Sequence, residues 1–322
     1  MLTTLSHRSM AAEFSVILAE SDAHLVEPAL EALELLDQIE ADLTVYRAES
    51  EISRINATGD KNPVVVSQST FELLKRSLRW SEITDGAFDV TAGPLVRAWG
   101  FTQRRGRKPT AAEIQDALEK VGFSHVTLVE KDCAVSLGVP GMEINLGAIG
   151  KGFALDELAG GLSQRGLKNF LIHGGYSSVI AKGDQIPGSG QGWAVGISHP
   201  TKPNHRLAGI RLVNQALSTS GSGKQFFHYR GRRYGHVIDP RSGYPAGDLL
   251  SLTAVADNAT DAEACSTAYF VCGTAAIRDA VASNPQLPRM IGVSPKSRQD
   301  DVNVISFADF DWVDAPPEID AD

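Results

Sequence analysis

The chain has 322 residues, 43% of them hydrophobic and 21% charged, so it is long enough to bury a sizeable core as one large domain or two small ones. Its net charge of -9 excludes a general affinity for nucleic acid or anionic lipid, since such surfaces repel an acidic protein at long range, and any anionic partner must be met locally. Cys133, Cys265 and Cys272 supply neither a disulfide framework nor a CxxC metal pair and read as reduced core thiols.

In chain order, "EFSVIL" reads as a first strand. "VEPALEALELLDQIEADL" then spaces Val26, Leu30, Leu33, Leu36, Ile39 and Leu43 along one apolar face of a helix, with Pro28 in its first turn. "TFELLKRSLRWSEI" reads as a second helix and "TAAEIQDALEKV" as a third, capped by Thr110 and followed by Gly122. "TDGAFDVTAGPLVRAWGF" between them is too rich in Gly and Pro for regular structure. From residue 140 onward the β-like runs "LKNFLIHGG", "GWAVGIS", "LAGIRLVN" and "LLSLTAVAD" alternate with glycine turns, and helices over 151–165 and 260–273 interrupt them.

This mixed order lacks regular βαβ alternation and predicts an α+β fold over residues 10–300, one domain with room for two subdomains. Residues 301–322 form a C-terminal segment whose end, "VDAPPEIDAD", is acidic and proline-bearing and is expected to be disordered. The N-terminus lacks the apolar run of a signal peptide, and nothing approaches the ~20 apolar residues of a membrane span. The expectation is a cytoplasmic protein without membrane insertion, or a periplasmic one if a leader precedes this sequence.

Four short stretches could carry chemistry. In "NLGAIGKGFALDEL" (145–158), Gly147, Gly150 and Gly152 precede a helix beside Lys151; close backbone approach, helix N–H groups and an ammonium together suit a phosphate, although a plain strand-to-helix turn has the same spacing. In "ATDAEACSTAYFVCG" (259–273), Glu263 and Thr267 lie one turn apart and could offer oxygens to Mg²⁺; alternatively Thr260 and Glu263 form a capping box and Thr267 fills core space. His236 precedes "VIDPRSGYP", whose Asp239–Pro240 and Gly243 favour a tight turn that would fix the imidazole as a general base, though a loop histidine is more often only hydrogen-bonded. "TSGSGKQF" (219–226) offers hydroxyls, glycine N–H groups and Lys224, or is a polar loop, and "RRGRK" (104–108) reads as a solvated loop.

The order of these and further blocks resembles the ApbE family of FAD:protein FMN transferases. The blocks are "LTVYRAESEISRIN" (43–56), "TDGAFDVTAGPLVRAWGF" (84–101), "NLGAIGKGFALDEL", "GWAVGISHP" (192–200), "LSTSGSG" (217–223), "HVIDPRSGYP" (236–245) and "AEACSTAYFVCG", spread from Met10 to Gly273. The resemblance implies a mixed-sheet fold with flanking helices and a central FAD cleft. It implies transfer of FMN from FAD to a Ser or Thr hydroxyl of an acceptor protein, with Mg²⁺ on the diphosphate and release of AMP. By the same resemblance, Met10, Tyr46, Ala87, Phe88, Asp89, Asn145, Lys151 and Val237 hold the flavin nucleotide. The carbonyl of Ala148, Glu263 and Thr267 hold the metal, and His236 is the catalytic base.

Three positions depart from the family pattern. Asn145 stands where relatives carry aspartate, Glu263 replaces an aspartate, and Tyr176 follows Gly174–Gly175 where an acid is usual. Asp261 lies on a different helical face from Thr267. Besides transfer, this loss of acidity leaves open FAD hydrolysis to FMN and AMP, and flavin binding without catalysis. The chain contains no acceptor-type Asp-x-x-Ser/Thr-x-Ala-Thr segment, so self-flavinylation is not expected.

Overall fold

The computed structural model describes residues 2–102, 106–202, 204–223, 226–296 and 301–314. Lys224, Arg104 and Arg105 and the tail from residue 315 lie outside the described residues, and with them the expected disorder of the C-terminus.

The chain opens with a hairpin, β1 (Thr3–Ser9) and β2 (Ala12–Leu18), whose turn residues Met10 and Ala11 both have positive φ. β1 alternates half-buried and exposed residues, a pattern its polar sequence "TTLSHRS" hides. α1 (Val26–Leu33) and α2 (Leu35–Leu43) occupy the segment expected as one helix. The hydrogen bonding tightens at Glu34, where Asp37 N–H donates to the Glu34 carbonyl, and the break turns the inner face to Ala29, Ala32, Leu33 and Leu36. Leu30, expected on that face, is exposed instead.

α3 (Glu51–Thr58) starts at a Ser50 cap, and β3 (Val64–Val65) leads to α4 (Gln68–Ile83), capped by Ser67. The Gly/Pro-rich stretch is not wholly irregular: α5 (Gly93–Ala98) forms there, because Pro94 sits at the helix start, where its missing N–H costs nothing. α6 (Ala111–Leu118) carries the Thr110–Glu113 capping box. β4 (Val126–Val129), β5 (Ala134–Leu137) and β3 make a small antiparallel sheet in the order β3-β5-β4. α7 (Gly150–Gln164) follows the glycine-lysine loop.

The remaining strands are β6 (Phe170–Gly174), β7 (Ser178–Lys182), β8 (Trp193–Ser198), β9 (Arg206–Leu212), β10 (Ala216–Gly221), β11 (Phe226–Tyr229), β12 (Arg232–Gly235) and β13 (Ser251–Ala256). α8 (Ala259–Cys272) and α9 (Thr274–Ser283) precede β14 (Arg289–Pro295) and β15 (Val302–Ser306). The main sheet is antiparallel throughout, in the order β1-β2-β6-β7-β10-β13-β14-β15, so it continues past residue 300. With the helices around it, this is the α+β architecture the sequence predicts.

Each sheet face buries a different partner. On one side α1 and α7 pack Ala29, Leu33, Leu155, Leu158 and Leu162 against Phe14, Val16, Phe170 and Ile172. On the other lies the β8–β9 ribbon, in which β8 alternates buried and exposed residues and sets Trp193, Val195 and Ile197 against Leu171, Leu217 and Val255. α8 is buried nearly all round, between the sheet and a core built from α3, α4 and the small sheet. A fourth cluster, Leu95, Trp99, Ile114, Tyr234 and Ile238, ties α5 and α6 to β12 and the turn after it.

Candidate active site

The N-terminus of α7 meets the flank of α8, and two glycine-sized details permit it. Asn145 accepts the Gly147 N–H at 2.9 Å through Oδ1 and donates its own backbone N–H to Val90 at 2.7 Å, which fastens the loop to the segment after Asp89. Leu146 then accepts from Ile149 and Gly150, closing the turn into the helix. A methyl group at Gly152 would lie 2.3 Å from the Ala259 carbonyl oxygen, so only glycine lets the two helix ends touch.

Across that contact the Glu263 carboxylate accepts from the Lys151 ammonium through Oε1 and from the Gly152 N–H through Oε2. Glu263 is only 4% exposed, so its charge is compensated inside the protein. The capping-box alternative is thereby overturned. Asn258 caps α8 by accepting the Asp261 N–H at 2.8 Å, while Thr260 donates its hydroxyl to Asp156. Glu263 is left free to cross to α7.

Asp156 and Arg76 are the positioning residues that sequence reasoning missed. Asp156 accepts the Ala259 and Thr260 N–H groups at 2.8 and 2.9 Å and thus holds the start of α8 from within α7. Burial pushes its pKa up, against the pull of those hydrogen bonds and of Arg76. Arg76 on α4 grips Asp261 at 2.6 and 2.8 Å, and Trp80 Nε1 donates to the same carboxylate at 2.8 Å. Asp261 therefore spends its carboxylate on α4. A signal existed for Asp156 in its place five residues beyond Lys151; nothing local connected Arg76 to α8.

Thr267, one turn beyond Glu263, shares a hydrogen bond with the Ser220 hydroxyl at 2.9 Å, and Ser220 also meets Ser266 at 3.0 Å. Ser220 belongs to "TSGSGKQF", which the fold brings against α8. Two residues on, Ser222 packs against Gly235, the residue before His236. His236 sits edge-on to Phe101 at 6.3 Å, and the neighbouring Thr102 carbonyl accepts from the Tyr46 hydroxyl at 3.2 Å. Continuous contacts thus link the segments of Lys151, Glu263 and Thr267 to those of His236 and Tyr46.

The other expected contacts divide. Met10, in its left-handed turn, donates its N–H to Glu40 at 2.9 Å and places its methyl beside Gly150. Tyr46 is 74% exposed and so open to a ring. Ala87 and Phe88 are buried, and Val237 is half-buried against the main core. Asp89 spends its carboxylate internally, on the Thr91 N–H and hydroxyl and on the Phe123 N–H, and burial pushes its pKa up. The basic loop also divides: Arg241 is held by Asp239 at 2.9 Å, whereas Arg232 and Arg233 lie over the rings of Tyr234 and Phe226.

The donors expected for Mg²⁺, the Ala148 carbonyl, the Glu263 carboxylate and the Thr267 hydroxyl, are all hard oxygens and fit that ion in kind. The Lys151 ammonium resting on Glu263 is itself a stand-in cation and marks that carboxylate as a place for positive charge. Among the described residues no three His, Cys, Asp or Glu side chains gather as a metal-binding group. A cavity of about 330 Å³ bordered by Trp80, Asn258, Asp261 and Arg289 contains none of the expected site residues.

The ApbE family model matches residues 10–291. The chain belongs to the ApbE family. A protein of Klebsiella pneumoniae named FAD:protein FMN transferase is 34% identical over 261 residues, 80% of each chain. A protein of the same name from Haemophilus influenzae is 33% identical over 247 residues, 74% of this chain and 70% of that one. The crystal structure of the ApbE protein of Thermotoga maritima superposes with a TM-score of 0.83 at 29% identity, over 91% of this chain and 94% of that one. The flavin transferase ApbE of Vibrio cholerae gives 0.79 at 26% identity, over 95% and 97%. The ApbE match thus spans every segment that meets at the α7–α8 contact.

Proposed function

We propose that this chain transfers FMN from FAD to a Ser or Thr hydroxyl of an acceptor protein and releases AMP. The observation that carries this reading is the Lys151–Glu263–Gly152 contact at the start of α7, with Thr267 and Ser220 beside it. It gathers an ammonium, a carboxylate and hydroxyls from three distant segments in the fold of a family whose named members are FAD:protein FMN transferases.

A phosphoanhydride is protected by its own negative oxygens, so positive charge must face it before a nucleophile can approach. Lys151 and the N-terminal end of α7 supply that charge. Ala148, Glu263 and Thr267 would hold Mg²⁺, which, when bound, neutralises charge on the diphosphate. Tyr46, whose ring is exposed, and Met10, beside Gly150, would hold the flavin ring. In the reaction the acceptor hydroxyl oxygen forms a bond to the FMN phosphorus, and the bond from that phosphorus to the bridging oxygen breaks. AMP leaves with the bonding electrons, and the hydroxyl proton passes to His236.

The test is to incubate the purified protein with FAD and Mg²⁺, with and without an acceptor domain, and to follow AMP, free FMN and protein-bound flavin. AMP with flavin on the acceptor supports transfer. AMP with free FMN in equal amount would make the chain a hydrolase, and fully bound but unchanged FAD would make it a flavin-binding protein.

A further inference from the structure

The β11–β12 hairpin reverses the charge of the protein. Lys108, Arg230, Arg232 and Arg233 gather on it, and among the described residues none of the four forms an ion pair with a carboxylate, although the chain as a whole carries -9. They rest on aromatic rings: Lys108 over Tyr229 and Tyr234, Arg230 over Tyr229, Arg232 over Tyr234, and Arg233 over Phe226 at 3.9 Å. Ring faces hold these cations in place without neutralising them, so their charge remains available to a partner.

The hairpin is also an unfinished sheet. β11 and β12 pair only with each other among the described strands, through a tight turn in which Arg230 and Gly231 both have positive φ. One face is anchored, since Phe227 and Tyr234 stack at 5.4 Å and both meet Trp99. The opposite face carries Phe226, His228 and Arg233, and Phe226 is 41% exposed. Outer strand edges of this kind accept an extended segment by ladder hydrogen bonds.

Its position gives the hairpin a direction. β12 ends at Gly235, immediately before His236, and Phe101 touches both Phe227 and His236, at 5.9 and 6.3 Å. A chain laid along the hairpin is led to the imidazole. We infer that β11–β12 is the docking platform for the acceptor protein, and that it takes an extended acidic segment of that protein. This rests on the transferase reading given above. An anionic membrane is the poorer match, because its extended surface would also repel the acidic remainder of the protein.

The experiment measures fluorescence anisotropy of a labelled fifteen-residue peptide with one serine among four Asp or Glu residues, against a peptide with Lys at those four positions. The parent binds the acidic peptide at least tenfold more tightly, and the preference fades with salt. Arg232→Glu/Arg233→Glu loses the preference. Arg232→Gln/Arg233→Gln, which keeps most of each stem over its ring, weakens binding at least threefold and serves if the first variant does not fold. FAD affinity, followed by flavin fluorescence, stays within about twofold in both variants. Equal binding of the two peptides by the parent, or a parallel loss of FAD affinity in the variants, overturns the inference; so does binding to phosphatidylserine vesicles in place of the peptide. A parent that binds no FAD defeats the transferase reading and leaves the peptide result to be judged separately.

Discussion

Gly152→Ala and Gly160→Ala place the same methyl group in the same helix with opposite consequences. In a helix interior alanine is better than glycine by about 1 kcal/mol. At Gly160 nothing stands within 4 Å of the new carbon, so the variant should gain about that amount. At Gly152 the methyl meets the Ala259 oxygen at 2.3 Å, its carbonyl carbon at 2.7 Å and Thr260 Cα at 2.9 Å, all backbone atoms that cannot rotate away. Relief requires α7 and α8 to part by about 1 Å, an overpacking cost of about 1–3 kcal/mol. The same shift pulls Glu263 from Lys151 and Gly152, a charged contact worth a further ~1.5–3 kcal/mol if lost. Net of the helix gain, Gly152→Ala should lose about 1.5–5 kcal/mol and bind FAD weakly. Urea unfolding followed by intrinsic fluorescence, with FAD titration on the same samples, measures both. A Gly152→Ala protein at least as stable as its parent would refute the reasoning that this contact is close-packed and holds the site.

His236→Ala should keep FAD affinity within about twofold while turnover falls roughly 10²-fold or more, read as AMP release against flavin fluorescence; equal turnover removes its role as base. Glu263→Gln should lower stability by about 2–3 kcal/mol, since it leaves the Lys151 ammonium without its counter-charge, and should abolish the heat of Mg²⁺ binding to the FAD complex in a calorimetric titration. Asp261→Asn should cost about 1–2 kcal/mol at pH 7 in a half-exposed pair. Burial alone would raise the pKa of Asp261, but hydrogen bonds from Arg76, Trp80 and Asn258 and the Arg76 charge outweigh it and leave the pKa below the ordinary value. A depressed carboxyl pKa stabilises the fold above the unfolded-state value and ceases to as pH falls through the folded one. The deficit of Asp261→Asn should therefore shrink on acidification below the carboxylate range, and urea midpoints across pH 3–7 test this.

The fold was legible where a pattern is local. The β-like run "GWAVGIS" and the Thr110 cap both formed as expected, and α7 and α8 begin one residue before the predicted helices. The break at Glu34 was not legible, because every residue there is a competent helix former and the kink serves distant packing against the sheet. β1 escaped because an edge strand with one wet face needs few apolar residues. The site was legible as separate stretches. Their joining was not, since the Gly152–Ala259 contact and the grip of Asp156 on α8 span more than a hundred residues and leave no periodic trace.

The three departures from the family pattern are better understood as geometry than as lost charge. Asn145 uses Oδ1 to accept the Gly147 N–H, a task an amide performs as well as a carboxylate, and the loop keeps its turn. Glu263 has one more methylene than aspartate, and the structure spends that reach on both the Lys151 ammonium and the Gly152 N–H. Tyr176 is the middle residue of the three-residue loop between β6 and β7, at φ 59° after Gly175 at 58°, where an asparagine or glycine would be less strained. Its ring stacks on His173 at 5.1 Å, an aromatic contact that partly offsets the strain. Burial pushes the His173 pKa down, which favours the neutral form of the ring beneath Tyr176. An acid still stands beside the hairpin tip, since the Tyr176 hydroxyl donates to Glu13 at 3.5 Å, and among the donors proposed for the metal Glu263 is the one carboxylate. Under the proposed reading, Lys151 and a divalent ion would compete for that carboxylate.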